Sequence, residues 1–223
     1  DQPDSPLVIK GVVYNEMKGA MSPPVSQVQR ALQAHLFPTT TYHHNSGGDP
    51  ENIPELTHEQ LLAFHARHYH PSNALFVTYG DFPVSDHQKR MHDLALSKFD
   101  RLDTDLAVGN EHRLANPVSI AAEYAVDGDH PGDEHSHVVM GWLLGDGTDA
   151  RSLLEAYLLQ SVLLEHGGSP LRAALETTDL GDAPSELCGL DDSTREMTLT
   201  AGLEGTTAAN ADAIDKAEDR ERF

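Results

Sequence analysis

Cysteine is almost missing from this chain: the single Cys188 rules out an internal disulfide. Nothing beside it in sequence offers the base that a catalytic thiol needs, so it reads as a small buried apolar residue. Basic residues are scarce as well, 15 Lys and Arg against 36 Asp and Glu, for a net charge of −21. Five of the 15 are Lys, and Asp (21) outnumbers Glu (15). Such a surface repels nucleic acid and anionic membranes, which excludes both as partners. A high-salt organism would produce this balance, because salt screens the self-repulsion; an ordinary acidic bacterial protein would too. No apolar run is long enough to span a bilayer. Asp1-Gln2-Pro3-Asp4 lacks the basic-then-apolar pattern of a secretory leader. The expected location is the bacterial cytoplasm, with the mitochondrial matrix or a plastid as the alternative. What remains is 39% apolar residues in a chain of 223, enough for one large domain or two modest ones.

Ser5-Pro6 has the form of a helix start, and Val8, Val12, Val13 and Met17 recur at helical spacing, which predicts an amphipathic helix over 6–20. Glu16 borders its apolar face and can point into a cleft. Ser22-Pro23-Pro24 opens a second helix with Val25, Val28 and Leu32 inward. Residues 37–54 read as loop, with the turn Ser46-Gly47-Gly48-Asp49-Pro50 inside it. Thr57-His58-Glu59-Gln60 is a capping box that opens a helix to His68. Pro71-Ser72-Asn73 is a turn, 74–79 a strand, and 85–99 a helix. Beyond a polar stretch at 100–116, the pattern gives strands over 118–126 and 138–144, separated by a polar turn at Asp127–Asp133. A helix over 149–166 stops at Gly167-Gly168. A shorter helix starts at Ser169-Pro170, strands fit 184–190 and 195–203, and a last helix begins near 210.

The expected fold is therefore α+β, helices packed on a mainly antiparallel sheet. The expected division is residues 1–100 as one αβ part, 101–116 as linker, and 117–223 as a second αβ part. The first part has a single strand, too few for a sheet, so further strands are expected outside the chain.

Fourteen histidines invite a search for metal ligands. His43-His44, His65/His68/His70 and His130/His135/His137 are the local clusters, and none has a Cys or a firmly placed carboxylate to complete it. His130-Pro131-Gly132-Asp133-Glu134-His135 has one residue too many for an inverted zinc motif H-x-x-E-H, and Pro131-Gly132 would break the helix it needs. These histidines read as solvated or helix-end residues. Ser46-Gly47-Gly48 and Gly167-Gly168-Ser169 match neither a nucleophile elbow nor a phosphate loop. Asp103/Asp105 and Asp191/Asp192 read as solvated surface rather than paired catalytic acids.

Three stretches say more: Gly11-Val12-Val13-Tyr14-Asn15-Glu16-Met17-Lys18-Gly19-Ala20; Ser46 to Pro50 followed by Ile53-Pro54-Glu55-Leu56-Thr57; and His65-Ala66-Arg67-His68-Tyr69-His70-Pro71-Ser72-Asn73-Ala74, running to Tyr79-Gly80. In order and spacing they resemble the presequence protease branch of the pitrilysin-type zinc metallopeptidases. The resemblance is strong over 5–100 and weaker to about 205, through Gly168-Ser169-Pro170-Leu171 and Ser193-Thr194-Arg195-Glu196.

That resemblance implies αβ sandwich domains truncated at both ends, and a zinc ion held by two His of an H-x-x-E-H helix and one Glu of a later helix. The last role falls on Glu16. Zinc then lowers the pKa of its bound water to about 7, and the Glu of H-x-x-E-H acts as general base. No H-x-x-E-H occurs in these residues; it is expected upstream of Asp1. No catalytic residue is expected within the chain, and no zinc bound to it alone. The resemblance implies a whole protein that degrades short unstructured peptides. Its implied partners are those peptides, the missing N-terminal segment and the C-terminal half of the same polypeptide. The alternative is a non-catalytic structural homologue of the processing-peptidase type. A small metal-binding module using its own histidines is a third possibility.

Overall fold

The structure, a computed structural model, describes residues 6–103, 105–124 and 135–214. Expectations that rest on Ser5, on 125–134 (His130, the Asp127–Asp133 turn, the end of the 118–126 strand) and on the helix beyond 214 lie outside the described residues. Two units are distinguished, one formed by 1–51 with 108–223 and one by 52–107.

In the larger unit, β1 (Ser136–Asp146) runs antiparallel to β4 (Glu196–Thr206). Two short strands, β2 (Ala183–Pro184) and β3 (Gly189–Asp191), pair with the other side of β4. Alternation along β4 decides what each face carries. Leu199, Ala201 and Leu203 point one way and join Leu164, Leu171, Leu175 and Ile214 in the core. Leu164 belongs to α5 (Ala150–Leu164) and the next two to α6 (Pro170–Thr177). Asp149 caps α5 by accepting from the Ser152 N–H at 2.9 Å. Ser169 precedes Pro170 at the first position of α6 and is fully buried.

The opposite face carries Gly141 of β1, paired with Thr200. A Cβ at Gly141 would lie 2.6 Å from Leu32 Cδ1 and 3.1 Å from Leu36 Cδ1. Both leucines belong to α2 (Pro24–Leu36). So α2 lies across the second face, and the sheet has helices on both sides. The expected α+β class with an antiparallel sheet is what the structure has; the helix on the far face comes from the N-terminal part of the chain.

α1 (Val12–Ala20) is shorter than the expected 6–20. Gly11 is extended, at φ −159° and ψ 147°, and residues 6–11 form no helix. Its inward residues also differ: Tyr14, Met17 and Met21 are half-buried, whereas Val12 is 85% and Val13 55% exposed.

In the smaller unit, the Thr57 capping box forms as expected at the head of α3 (His58–His68). Thr57 Oγ1 accepts from the Gln60 N–H, and Gln60 Oε1 accepts from the Thr57 N–H. α4 (Val84–Leu94) ends earlier than expected and continues as a 3₁₀ turn at Leu96–Lys98. The strand expected over 74–79 is absent. Leu75, Val77 and Tyr79 stand 90%, 80% and 104% exposed. A strand exists only as a pair, and the described residues of this unit hold no partner for it. Residues 117–124 likewise form no strand. No helix among the described residues is long and apolar enough to cross a membrane.

Candidate functional site

Glu16 sits in the second turn of α1, on the flank it shares with Val13 and Val12, three and four residues earlier. The carboxylate is exposed and makes no hydrogen bond or ion pair with a described residue. The opposite flank seats the helix. Met17 lies against Gly47, where a Cβ would come within 2.3 Å of its Sδ and 2.7 Å of its Cε. Met21 Sδ accepts from Arg30 Nη1 at 3.5 Å and from Asn45 Nδ2 at 3.8 Å. Arg30 in turn pairs with Asp49.

The Ser46–Pro50 motif thus has a local job. Gly48 closes the turn at φ +91°, a left-handed conformation that glycine adopts without strain, and its N–H reaches Asn45 O at 3.0 Å. Asp49 accepts from the Glu51 N–H at 3.0 Å while holding Arg30. The third motif is also a turn: His70 Nδ1 accepts from the Ser72 N–H at 3.2 Å, and Asn73 Nδ2 donates to His68 O at 3.0 Å.

The described histidines of the clusters make other contacts, although His137 Nδ1 is buried without a hydrogen-bond partner among the described residues. His65 stacks on Tyr69 and His68 on Phe64, at centroid distances of 5.0 and 4.2 Å. His43 Nδ1 bonds Ala34 O at 2.9 Å, and His137 stands edge-on to Tyr124. Among the described residues no group of three or more His, Cys, Asp or Glu is placed to hold a metal ion. A catalytic zinc takes about three protein ligands. The described residues bring no pair of further such groups to Glu16. Cys188 is half-buried and packs against the core, its thiol donating to Gly202 O at 3.5 Å.

No residue pattern pointed to Glu111, which lies in the polar stretch read as linker and is only 5% exposed. Its carboxylate accepts from the Thr39 and Thr40 N–H groups at 2.9 Å each, from the Thr39 hydroxyl, and from the His112 N–H at 2.7 Å. Burial alone would raise its pKa. The four donors outweigh burial and hold it at about 2, below the usual 4.5. Its own N–H donates to Glu196 Oε2, and Glu196 Oε1 accepts from Arg113 at 2.7 Å. Arg195 completes the clasp, bonding Asn110 at 2.6 Å and Asp146 at 2.9 Å. All these groups are engaged with one another, as in a structural joint. A groove of about 400 Å3 opens nearby between α2 and β3, lined in part by Gln33, Leu36, Leu187 and Cys188.

Comparison with known proteins finds that residues 55–205 match the family described as "Peptidase M16 inactive domain". The chain is 39% identical over 215 residues to a protein of Xenopus laevis named "Presequence protease, mitochondrial", covering 96% of this chain and 21% of that protein. The mouse protein of the same name is 40% identical over 227 residues, with 98% and 21% covered. That of Gibberella zeae is 38% identical over 205 residues, with 92% and 20% covered. The chain spans about a fifth of the length of these relatives.

Proposed function

Because the chain belongs to the peptidase M16 family, we propose that it is part of a zinc endopeptidase that degrades short, unstructured peptides. Glu16 is one protein ligand of the zinc. The remaining ligands and the general base come from outside these 223 residues. The observation that carries this reading is Glu16 itself, an exposed carboxylate with no partner among the described residues. It stands beside two exposed valines on a helix whose other flank is seated. A carboxylate reserved for a ligand, with a flank left to be covered by other elements, looks like this.

The second reading, a non-catalytic homologue, draws on the word "inactive" in the family description. That description covers 55–205 and leaves Glu16 outside it. The label therefore suits the part from α3 to β4, and the N-terminal α1 is the part we assign to the metal. The relatives' names place them in mitochondria, which supports the mitochondrial location and lends nothing to the bacterial cytoplasm. The rest of the same polypeptide and its peptide substrates are the partners this reading requires.

The test uses Glu16→Gln in the whole protein. Zinc content per chain should fall, and peptide cleavage should drop by at least about 100-fold, since losing a ligand costs more than losing a ligand's supporting partner. The 223-residue chain alone should show no chelator-sensitive cleavage of a fluorogenic peptide. Retained zinc and activity in Glu16→Gln would overturn the proposal.

A further inference from the structure

α1 carries Glu16 but does little to hold itself in place. It is nine residues long, none of them fully buried, and no side chain caps its N-terminus. A helix this short is marginal alone, so its orientation comes from what it packs on. The packing is one-sided: Tyr14, Met17 and Met21 are half-buried, while Val12, Val13 and Glu16 stand exposed on the other flank. Small rolls of such a helix matter. With an outer radius of about 5–6 Å, a roll of about 10° carries a side-chain tip by about 1 Å. A misplacement of about 1 Å can cost a reacting site about 100-fold.

Two residues outside α1 set its roll. Met17 rests where Gly47 has no Cβ, since one there would come within 2.3 Å of Sδ. A thioether on three soft rotors takes its shape from its surroundings, so the bare Gly47 backbone decides where Met17 lies. Arg30 is the second. It donates to Met21 Sδ and pairs with Asp49, which belongs to the same turn as Gly47. Asn45 donates both to Met21 Sδ and to Gly48 O, the latter at 3.3 Å. Arg30 lies on α2, whose Leu32 and Leu36 press onto Gly141 of β1. Contacts therefore lead without a break from the sheet, through α2 and Arg30, to the seat of α1. A guanidinium reaches two acceptors at once in a fixed fork, which the point charge of a lysine does not.

We propose that Arg30 and Gly47 are positioning residues for Glu16. They fix the roll of α1, and with it the direction in which the carboxylate is offered, without touching the carboxylate or the metal. This inference rests on the assignment of Glu16 to the zinc. A carboxylate oxygen is a normal zinc ligand, and the direction from which it arrives shapes the coordination.

The test uses the whole protein loaded with Co2+, whose visible absorption follows ligand geometry, and measures peptide cleavage beside it. Arg30→Met and Gly47→Ala should each shift the Co2+ bands and lower kcat at least about tenfold, with KM within about twofold. Arg30→Lys, which keeps the charge, should recover part of the kcat lost in Arg30→Met. The φ of Gly47 lies outside the left-handed region, so Gly47→Ala adds a methyl without backbone strain, and it decides if Arg30→Met fails to fold. Glu16→Gln, measured alongside, should lose the metal. If it does, and Arg30→Met and Gly47→Ala keep the unaltered bands and kcat, the positioning role is overturned and the assignment of Glu16 stands. If Glu16→Gln keeps the metal, both fall. A lower kcat with unshifted bands also overturns the positioning role, because it marks a purely structural one.

Discussion

A buried carboxylate is costly unless donors converge on it, and Glu111 has four. Glu111→Ala leaves those donors without an acceptor, and the expected loss is about 3 kcal/mol, read from the urea midpoint. Glu111→Gln should cost less, since one oxygen remains to accept. The acid response has a definite sign. The folded pKa, about 2, lies below the unfolded 4.5. The contribution is therefore complete above pH 4.5 and is lost as pH falls through 2. Glu111→Gln should flatten the stability profile in that window; an unchanged profile would remove Glu111 from the clasp. Residue patterns could not reveal this carboxylate, because three of its four donors lie about 70 positions away at Thr39 and Thr40. The role proposed for Glu16 rests, by contrast, on the local segment Asn15-Glu16-Met17-Lys18-Gly19 and its resemblance to the family; the seat opposite it, Met17 on Gly47, joins two motifs that the sequence displays separately.

Elements built from local signals appear where the sequence puts them. The Thr57 capping box, Pro24 at the head of α2 and the Gly167-Gly168 stop after α5 are each satisfied within a few residues. The segments that depart from expectation are the ones that need a distant partner. Ala74–Tyr79 and 118–124 have strand composition, but a strand is fixed by its neighbour, and propensity alone leaves it extended and exposed. α1 departs for a related reason: with residues 6–11 unhelical, its seat is Tyr14–Met17–Met21 and the valines face outward. Two glycines separate element-level effects. At Gly202 a Cβ would come within 2.3 Å of Val138 O and 2.7 Å of Val139 Cα, both backbone. Gly202→Ala must force β1 from β4, and a loss of about 2–3 kcal/mol in thermal unfolding is expected. Gly19, inside α1, has nothing within 4 Å of its Cβ position. Gly19→Ala should stabilise by about 0.5–1 kcal/mol through helix propensity, and a loss of helical signal in circular dichroism would contradict the assignment of α1.

At the scale of the molecule two features oppose each other. The net charge of −21 keeps copies of the chain apart. The exposed apolar side chains, Leu75, Val77 and Tyr79 in one unit and Leu154, Leu158 and Val162 along α5 in the other, draw surfaces together. α5 is apolar on both sides, as helices covered on both sides are, and these residues cover only about a fifth of the relatives' length. Which force wins depends on salt. Charges act over about 30 Å at 0.01 M ionic strength but only about 3 Å at 1 M, while apolar attraction persists. The isolated 223-residue chain should therefore sediment as a monomer at low salt and associate reversibly near 1 M. The whole protein, with its apolar faces covered, should not change its state over the same range. Leu158→Asp with Val77→Asp should suppress the salt-induced association of the isolated chain, because each places a charge within an exposed apolar patch. Association that is strongest at low salt would show that charge pairing, and not these patches, brings the copies together.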